Sequence, residues 1–258
     1  LSGTDAANYT QNASATATAN ITLRTLVITA NASDKTYDKT TAASVTLSDD
    51  RVSGNLLNIT FSTSTFATSA AGANKTVTVT GIAVTGTDAA NYSYATSTTT
   101  TATILQRTLN VTVSPTNKVY DGTTAAAVTY TDNRISGDSL TVTGEATFSS
   151  KTAVSGKTVT SSNLSISGQD ASNYVLPSIS INSVQTANIT PRVVTITGTF
   201  GVANRQYDAT TDATAQSTPP ISPGLSDVQL ADDVTLAGTP TFTFAQATVG
   251  TGIGITTT

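Results

Sequence analysis

The chain has no cysteine, histidine, methionine or tryptophan, and Glu145 is its single glutamate. Without cysteine there is neither a disulfide nor a soft-metal site. That suits a chain exported unfolded, since nothing in it can cross-link prematurely. Without histidine or cysteine, and with one glutamate, the usual acid–base pairs and activated nucleophiles are missing. No Gly-x-Ser-x-Gly elbow compensates. The expectation is a protein that is not an enzyme. A lone glutamate also argues against self-forming Lys–Asn cross-links, which need a buried carboxylic acid in each domain. Charged residues make up 11%, with 12 Lys and Arg against 16 acidic residues and a net charge of −4. Ordinary globular chains carry about 25%. Neither nucleic acid nor an anionic membrane is the expected partner. No apolar run approaches about 18 residues, so this segment is not expected to insert into a membrane. With no signal peptide and no initiator methionine, the chain reads as an internal segment of something longer.

What is present is hydroxyl and apolar in alternation. Ser and Thr fill about a third of the positions, and 38% of residues are hydrophobic. In Thr-Leu-Val-Ile-Thr at 25–29, Thr-Val-Thr-Val-Thr at 76–80 and Asn-Val-Thr-Val-Ser at 110–114, period two predominates. Leu-Ser-Ile-Ser at 164–167 and Val-Val-Thr-Ile-Thr at 193–197 follow it too. This is the pattern of half-buried antiparallel strands. No stretch has helical periodicity, and Gly, Asn, Asp and Ser clusters cut the runs into short strands. The fold class read from this is all-β or mostly-β. The Asn-x-Ser/Thr sequons, Asn58 and Asn110 among them, are read mostly as Thr-rich strand chemistry.

Three signatures recur in a fixed order. Tyr-Asp-x-Thr-Thr begins at Tyr37, Tyr120 and Tyr207, 83 and 87 positions apart. Gly-x-Asp-Ala-x-Asn-Tyr ends at Tyr9, Tyr92 and Tyr174, and an Ala-x-Ile segment leads into Arg24, Arg107 and Arg192. One domain of about 86 residues is therefore copied head to tail. Residues 1–24 read as the C-terminal part of a preceding copy and 25–107 and 108–192 as complete copies. Residues 193–258 read as a third copy lacking its C-terminal part. Each copy is expected to bury its own core, and the short joins after Arg24, Arg107 and Arg192 to give an elongated rod. The mid-repeat ends fit either an arbitrary cut or a physical subunit permuted against the sequence repeat. In the second case residues 1–24 pair with a neighbour's sheet.

In the Tyr-Asp signature, Asp38, Asp121 and Asp208 suit an Asx-type turn that accepts the backbone N–H two residues on. Gly122 suits positive φ at the next position, but Lys39 and Ala209 stand there in the other copies, so positive φ reads as dispensable. The tyrosine ring is expected to anchor the turn, its hydroxyl reaching a backbone group. In the second signature, Asp5, Asp88 and Asp170 read as N-caps of a single helical turn, with Tyr9, Tyr92 and Tyr174 packing back as core residues. Acidic positions Asp49, Asp50, Asp132, Asp138, Asp232 and Asp233 are weak calcium candidates, since calcium takes six to eight oxygens. No Asp-x-Asp-x-Asp-Gly ladder occurs, and repeat one has Asn55 where repeat two has Asp138. No cofactor is otherwise expected.

Lys-Val-Tyr-Asp-Gly-Thr-Thr at 118–124, Ser-Gly-Asp at 136–138, Gly-Lys-Thr-Val at 156–159, Ser-Gly-Gln-Asp-Ala-Ser-Asn-Tyr at 167–174 and Ala-Asn-Ile-Thr at 187–190 carry a resemblance. Together they resemble the YDG-type repeat domains of giant secreted bacterial adhesins, including filamentous-haemagglutinin-like surface proteins. The likeness covers essentially the whole chain. Repeat three departs from it at Ala209, at Ile253 and in a Pro-rich insertion near 219–223. The resemblance implies β-grasp-like or sandwich-like domains outside the cell, forming the repetitive part of an adhesin, surface filament or biofilm matrix. It brings no catalytic site. The expected function is a structural stalk that sets reach and spacing, partnered by neighbouring repeats of its own chain. Two alternatives are a filament subunit that assembles with copies of itself through its terminal strands, and a glycan- or protein-binding adhesive module.

Overall fold

A computed structural model of the chain describes residues 1–177, 181–215, 221–238 and 240–257. Nearly all regular structure is β. Among the described residues, helix is confined to three single 3₁₀ turns, Ala6–Asn8, Ala89–Asn91 and Ala171–Asn173. Each copy opens with an antiparallel hairpin: Ile28–Ala32 with Val45–Asp49, Val111–Pro115 with Val128–Asp132, and Thr195–Thr199 with Ser222–Ser226. Of the Pro-rich insertion in copy three, residues 216–220 lie outside the described residues; Pro223 lies in the strand Ser222–Ser226, opposite Gly198.

The second layer of copy one is a four-stranded sheet in the order Lys35–Thr36, Ser97–Leu105, Gly72–Thr80, Thr63–Phe66. Copy two matches it with Thr141–Phe148, Lys157–Ser167 and Ile181–Ala187, and copy three with Asp212–Ala213, Phe242–Phe244 and Ile255–Thr257. Period two explains why these residues are strands. On Gly72–Thr80, Val77 and Val79 are fully buried while Thr76 and Thr80 face solvent. The hairpin closes over this face, bringing Ala30, Val79 and Ile82 together with Val45, Leu47 and Phe61 around them. The result is two layers of sheet over an apolar core. At one end of copy one, Leu26, Val84 and Tyr92 form a further cluster, and the strands Arg24–Leu26 and Tyr92–Tyr94 run parallel beside it.

The chain forms two compact units. One holds Leu1–Leu109 together with Arg134–Leu140 and Gly168–Val175; the other holds Asn110–Asn133, Thr141–Ser167 and Leu176–Thr258. The apolar clusters each draw on one copy, Phe148, Val159, Ala187 and Ile189 on copy two and Leu26, Val84 and Tyr92 on copy one. Two segments of copy two, one bearing Asp138 and one bearing Tyr174, belong to the unit built on copy one. A buried carboxylate at their contact with copy one is the physical reason, described below.

Residues 1–23 contain no strand, and Ile21 and Leu23 are exposed. Tyr92 and Tyr174 are buried as expected, but Tyr9 is 72% exposed, against its reading as a core residue. The difference is local. A parallel strand lies beside Tyr92 (Arg24–Leu26) and beside Tyr174 (Arg107–Thr108), and among the described residues none lies beside Tyr9.

Truncating a wholly buried branched side chain leaves a cavity and loses transfer energy. Val79→Ala should lower unfolding free energy in urea by about 2–3 kcal/mol. Thr80→Ala on the solvent face should change it by less than about 0.5 kcal/mol.

Candidate functional site

The Tyr-Asp turn has the same construction three times. Asp38, Asp121 and Asp208 each accept the backbone N–H and the hydroxyl of the threonine two residues on. A cation two residues before the tyrosine closes the turn from the other side. Lys35 Nζ donates to the Asp38 carboxylate at 2.8 Å and to the Thr40 carbonyl at 2.9 Å. Lys118 does the same to Asp121 and Thr123, and Arg205 to Asp208 and Thr210. Each cation also lies over a sheet phenylalanine, Lys35 5.7 Å from the Phe66 ring centre, Lys118 5.5 Å from Phe148 and Arg205 5.3 Å from Phe244. The Lys118 ammonium holds the Asp121 carboxyl at about 2. Positive φ proves to be required after the aspartate: Lys39 has φ 68°, Gly122 79° and Ala209 62°. Accepting the amide two residues on folds the chain tightly enough to force the left-handed region, whatever side chain is there.

Beyond the turn, copy one meets copy two. Asp138 ends a four-residue turn whose N–H donates back to the Ile135 carbonyl, and Gly137 at φ 84° closes it. Its carboxylate is wholly buried. The Tyr174 hydroxyl donates to Asp138 Oδ2 at 2.6 Å, and the Tyr37 hydroxyl to the same oxygen at 3.0 Å. Lys39 Nζ lies 2.9 Å from Oδ1 as an ion pair and also donates to the Ser136 carbonyl at 3.2 Å. The two rings meet edge to face with centres 5.6 Å apart. The Tyr37 hydroxyl thus reaches a carboxylate, where a backbone partner was expected. Burial pushes the Asp138 carboxyl up, but the hydroxyls of Tyr174 and Tyr37 and the Lys39 ammonium outweigh it and hold it below the usual carboxylate range. Burial, then the adjacent Asp138, pushes the phenols of Tyr37 and Tyr174 upward.

The Gly-x-Asp-Ala-x-Asn-Tyr segment supplies the rest of the contact. Asp88 and Asp170 stand at the N-cap positions of their 3₁₀ turns, yet neither side chain bonds its own turn. They accept the N–H of Leu56 and of Ser139 instead, both at 2.8 Å, tying this segment to the turn bearing Asn55 or Asp138. Asn173, also buried, accepts the Ala71 N–H of copy one at 2.9 Å. In copy one the tyrosine of this segment meets a neutral partner, the Tyr92 hydroxyl donating to Asn55 Oδ1.

Copy two meets copy three with the same parts. Asp232 ends the turn in which its N–H donates to the Gln229 carbonyl, as Asp138 does. The Asp232 carboxylate pushes the Tyr120 phenol up, and Lys151 Nζ ion-pairs with Asp232 at 3.2 Å. The Tyr120 hydroxyl and then Lys151 hold the Asp232 carboxyl below its ordinary range despite some desolvation. Beside Tyr120 is a cavity of about 410 Å³ whose walls include Ala153, Val194, Val228 and Val234. In the third copy Tyr207 is 65% exposed.

Of the remaining acidic candidates, Asp49 is bidentate on Arg51. Asp50 pairs with Arg24 at 3.4 Å and accepts the Val27 N–H. Asp132 ends its strand opposite Val111, and Asp5 and Asp233 are exposed. No group of three carboxylates converges among the described residues. Sequence reading overlooked Lys39, Lys151 and Asn173, together with the cation that precedes each tyrosine. Lys35, Lys118 and Arg205 carried a visible signal, one basic residue two places before each tyrosine. Lys39 and Lys151 carried none, because each occurs in one copy only.

The geometry defines a class, tandem all-β repeats tied through tyrosine–carboxylate contacts. The YDG domain model matches residues 22–101, 105–181 and 190–258, and the chain belongs to the YDG domain family. No curated protein and no solved structure matches it.

Three outcomes follow from this site. Ala209→Gly should raise stability by roughly 0.5–1.5 kcal/mol in denaturant melts, because the left-handed conformation penalises a Cβ. Acid should act through Asp138, whose depressed pKa stabilises the fold above the unfolded carboxyl value near 3.9 and stops doing so as pH falls through the folded value. Melting midpoints should therefore drop below about pH 4, with a shallower drop in Asp138→Asn. The raised phenols add an alkaline limb, since stability is lost as pH climbs past the unfolded tyrosine value near 10 toward the folded one.

Proposed function

We propose that the chain is a structural spacer segment of an extracellular bacterial adhesin or surface filament, in which YDG copies set reach and spacing and perform no chemistry. The single observation that carries the reading is that the reactive-looking groups are committed to joining copies or to holding their own turns. Asp138 and Asp232 hold tyrosines and lysines of the copy before them, and Asp38, Asp121 and Asp208 hold their own turns. Support also comes from the three family matches in one chain and from the near absence of side chains suited to catalysis. In such a segment the tyrosine–carboxylate contacts resist separation of consecutive copies, and reach grows with copy number.

Single-molecule stretching between terminal handles tests the mechanical part. Discrete unfolding peaks are expected, and Tyr37→Phe should lower the force of one of them. Featureless extension would contradict the reading. Glycan arrays and antibody labelling of intact producing cells test the rest: silence on glycans and surface labelling are expected. Strong binding of one glycan would favour an adhesive module, and purely internal labelling would refute the location.

A further inference from the structure

We propose that Asn31, Asn58 and Asn110 are acceptor sites for asparagine-linked sugar, transferred by a glycosyltransferase from a sugar activated as its diphosphate ester. Each opens an Asn-x-Ser/Thr sequence, with Ser33, Thr60 and Thr112 two residues on.

The described asparagine side chains between residues 25 and 192 divide by what they hold. Outside such sequences, Asn55, Asn117, Asn133 and Asn173 each tie the fold together through Oδ1. They accept the Tyr92 hydroxyl and the N–H groups of Asn188, Asn110 and Ala71 in turn. Asn31, Asn58 and Asn110 are exposed, and among the described residues their side-chain amides make no hydrogen bond.

The neighbouring copy shows that the fold does not require asparagine at these three places. The position of Asn31, opposite Thr46 in its hairpin, belongs in copy two to Ser114, opposite Thr129. That of Asn58, opposite Thr85, belongs to Thr141, opposite Ser167. Val27 takes the place of Asn110 in copy one, its N–H donating to Asp50 as that of Asn110 does to Asn133. Asparagine is disfavoured in strands, yet Asn31 and Asn58 are strand residues. Strand alternation does not account for Asn110, which precedes the strand Val111–Pro115. The three amides are free for chemistry and dispensable for packing.

Four further sequences of this kind in the same span are not assigned. Asn188 is half-buried and its Oδ1 holds the Gly156 N–H, and the Asn163 amide donates to Glu145. Asn74 has φ 52°, a left-handed conformation that asparagine tolerates, where copy two has Gly156 at 69°. Asn91 occupies the junction position that Asn173 occupies in copy two. At the assigned sites the chemistry is a substitution at the sugar. An amide nitrogen is a weak nucleophile, its lone pair delocalised into the carbonyl, so the enzyme supplies the activation. Asparagine Nδ2 bonds to the anomeric carbon, and the bond from that carbon to the diphosphate oxygen breaks, its electron pair leaving with the diphosphate. One amide proton passes to a base of the transferase. The inference goes beyond the spacer reading and does not depend on it.

Mass spectrometry of the chain purified from the cells that produce it tests the assignment. The intact mass should exceed that of the sequence by whole sugar residues, and peptides spanning Asn31, Asn58 and Asn110 should carry them. Single sugars or a preassembled oligosaccharide would each support the proposal, the first indicating a nucleotide-activated donor and the second a lipid-linked one. Thr60→Ala, which keeps Asn58, should strip the sugar from that site alone. Asn58→Thr, which installs the residue of copy two, should remove the same increment and shift the melting midpoint by less than about 2 °C. Bare peptides at all three sites, a sugar that persists on Asn58 in Thr60→Ala, or a sugar on Asn55 or Asn117 would each overturn the proposal.

Discussion

One buried carboxylate organises the first unit. Asp138 is out of water with one negative charge, which is tolerable only when its oxygens are filled. Tyr174, from its own copy, and Tyr37, from the copy before, both donate to Oδ2, and Lys39 faces Oδ1. Removing any of them leaves the charge under-satisfied in a low-dielectric site. The positions of the Tyr-Asp turn, of the Asp138 turn and of the segment at 168–175 follow from that requirement. A contact of this type specifies which parts of copy two join copy one. Apolar burial alone would tolerate several arrangements.

The turn that presents the tyrosine is rigid for the same kind of reason. Asp38, Asp121 and Asp208 fold the next two residues over their carboxylates, with a cation locking the far side and resting on a sheet phenylalanine. The turn is thereby fixed to the sheet beneath it. A tyrosine held on such a turn has little freedom to lose when it meets its carboxylate, which favours the contact. Lysine reaches the carboxylate from a different position at each junction, Lys39 in one and Lys151 in the other. What is repeated is the charge balance, and the residue that provides it varies.

Much of this was legible in the sequence. Alternation of Val with Thr gave the strands and the buried face at Val77 and Val79. The Tyr-Asp-x-Thr-Thr spacing gave the Asx-type turn, down to the amide that Asp38 accepts. Legibility ended where two copies touch. A repeated motif reveals a period but not which copy's tyrosine meets which copy's aspartate, and Tyr37 and Asp138 are 101 residues apart. The same limit explains Tyr9, whose sequence matches Tyr92 while its burial depends on a strand that is not beside it. Positive φ at Lys39 and Ala209 was misread because side-chain identity was weighed over the backbone geometry that the preceding aspartate imposes.

The most direct test is a double-mutant cycle on Tyr37→Phe and Asp138→Asn, with unfolding free energies from urea melts. If the hydroxyl–carboxylate contact joins the copies as described, the two substitutions are coupled by at least about 1 kcal/mol. Additivity within about 0.3 kcal/mol would contradict the account.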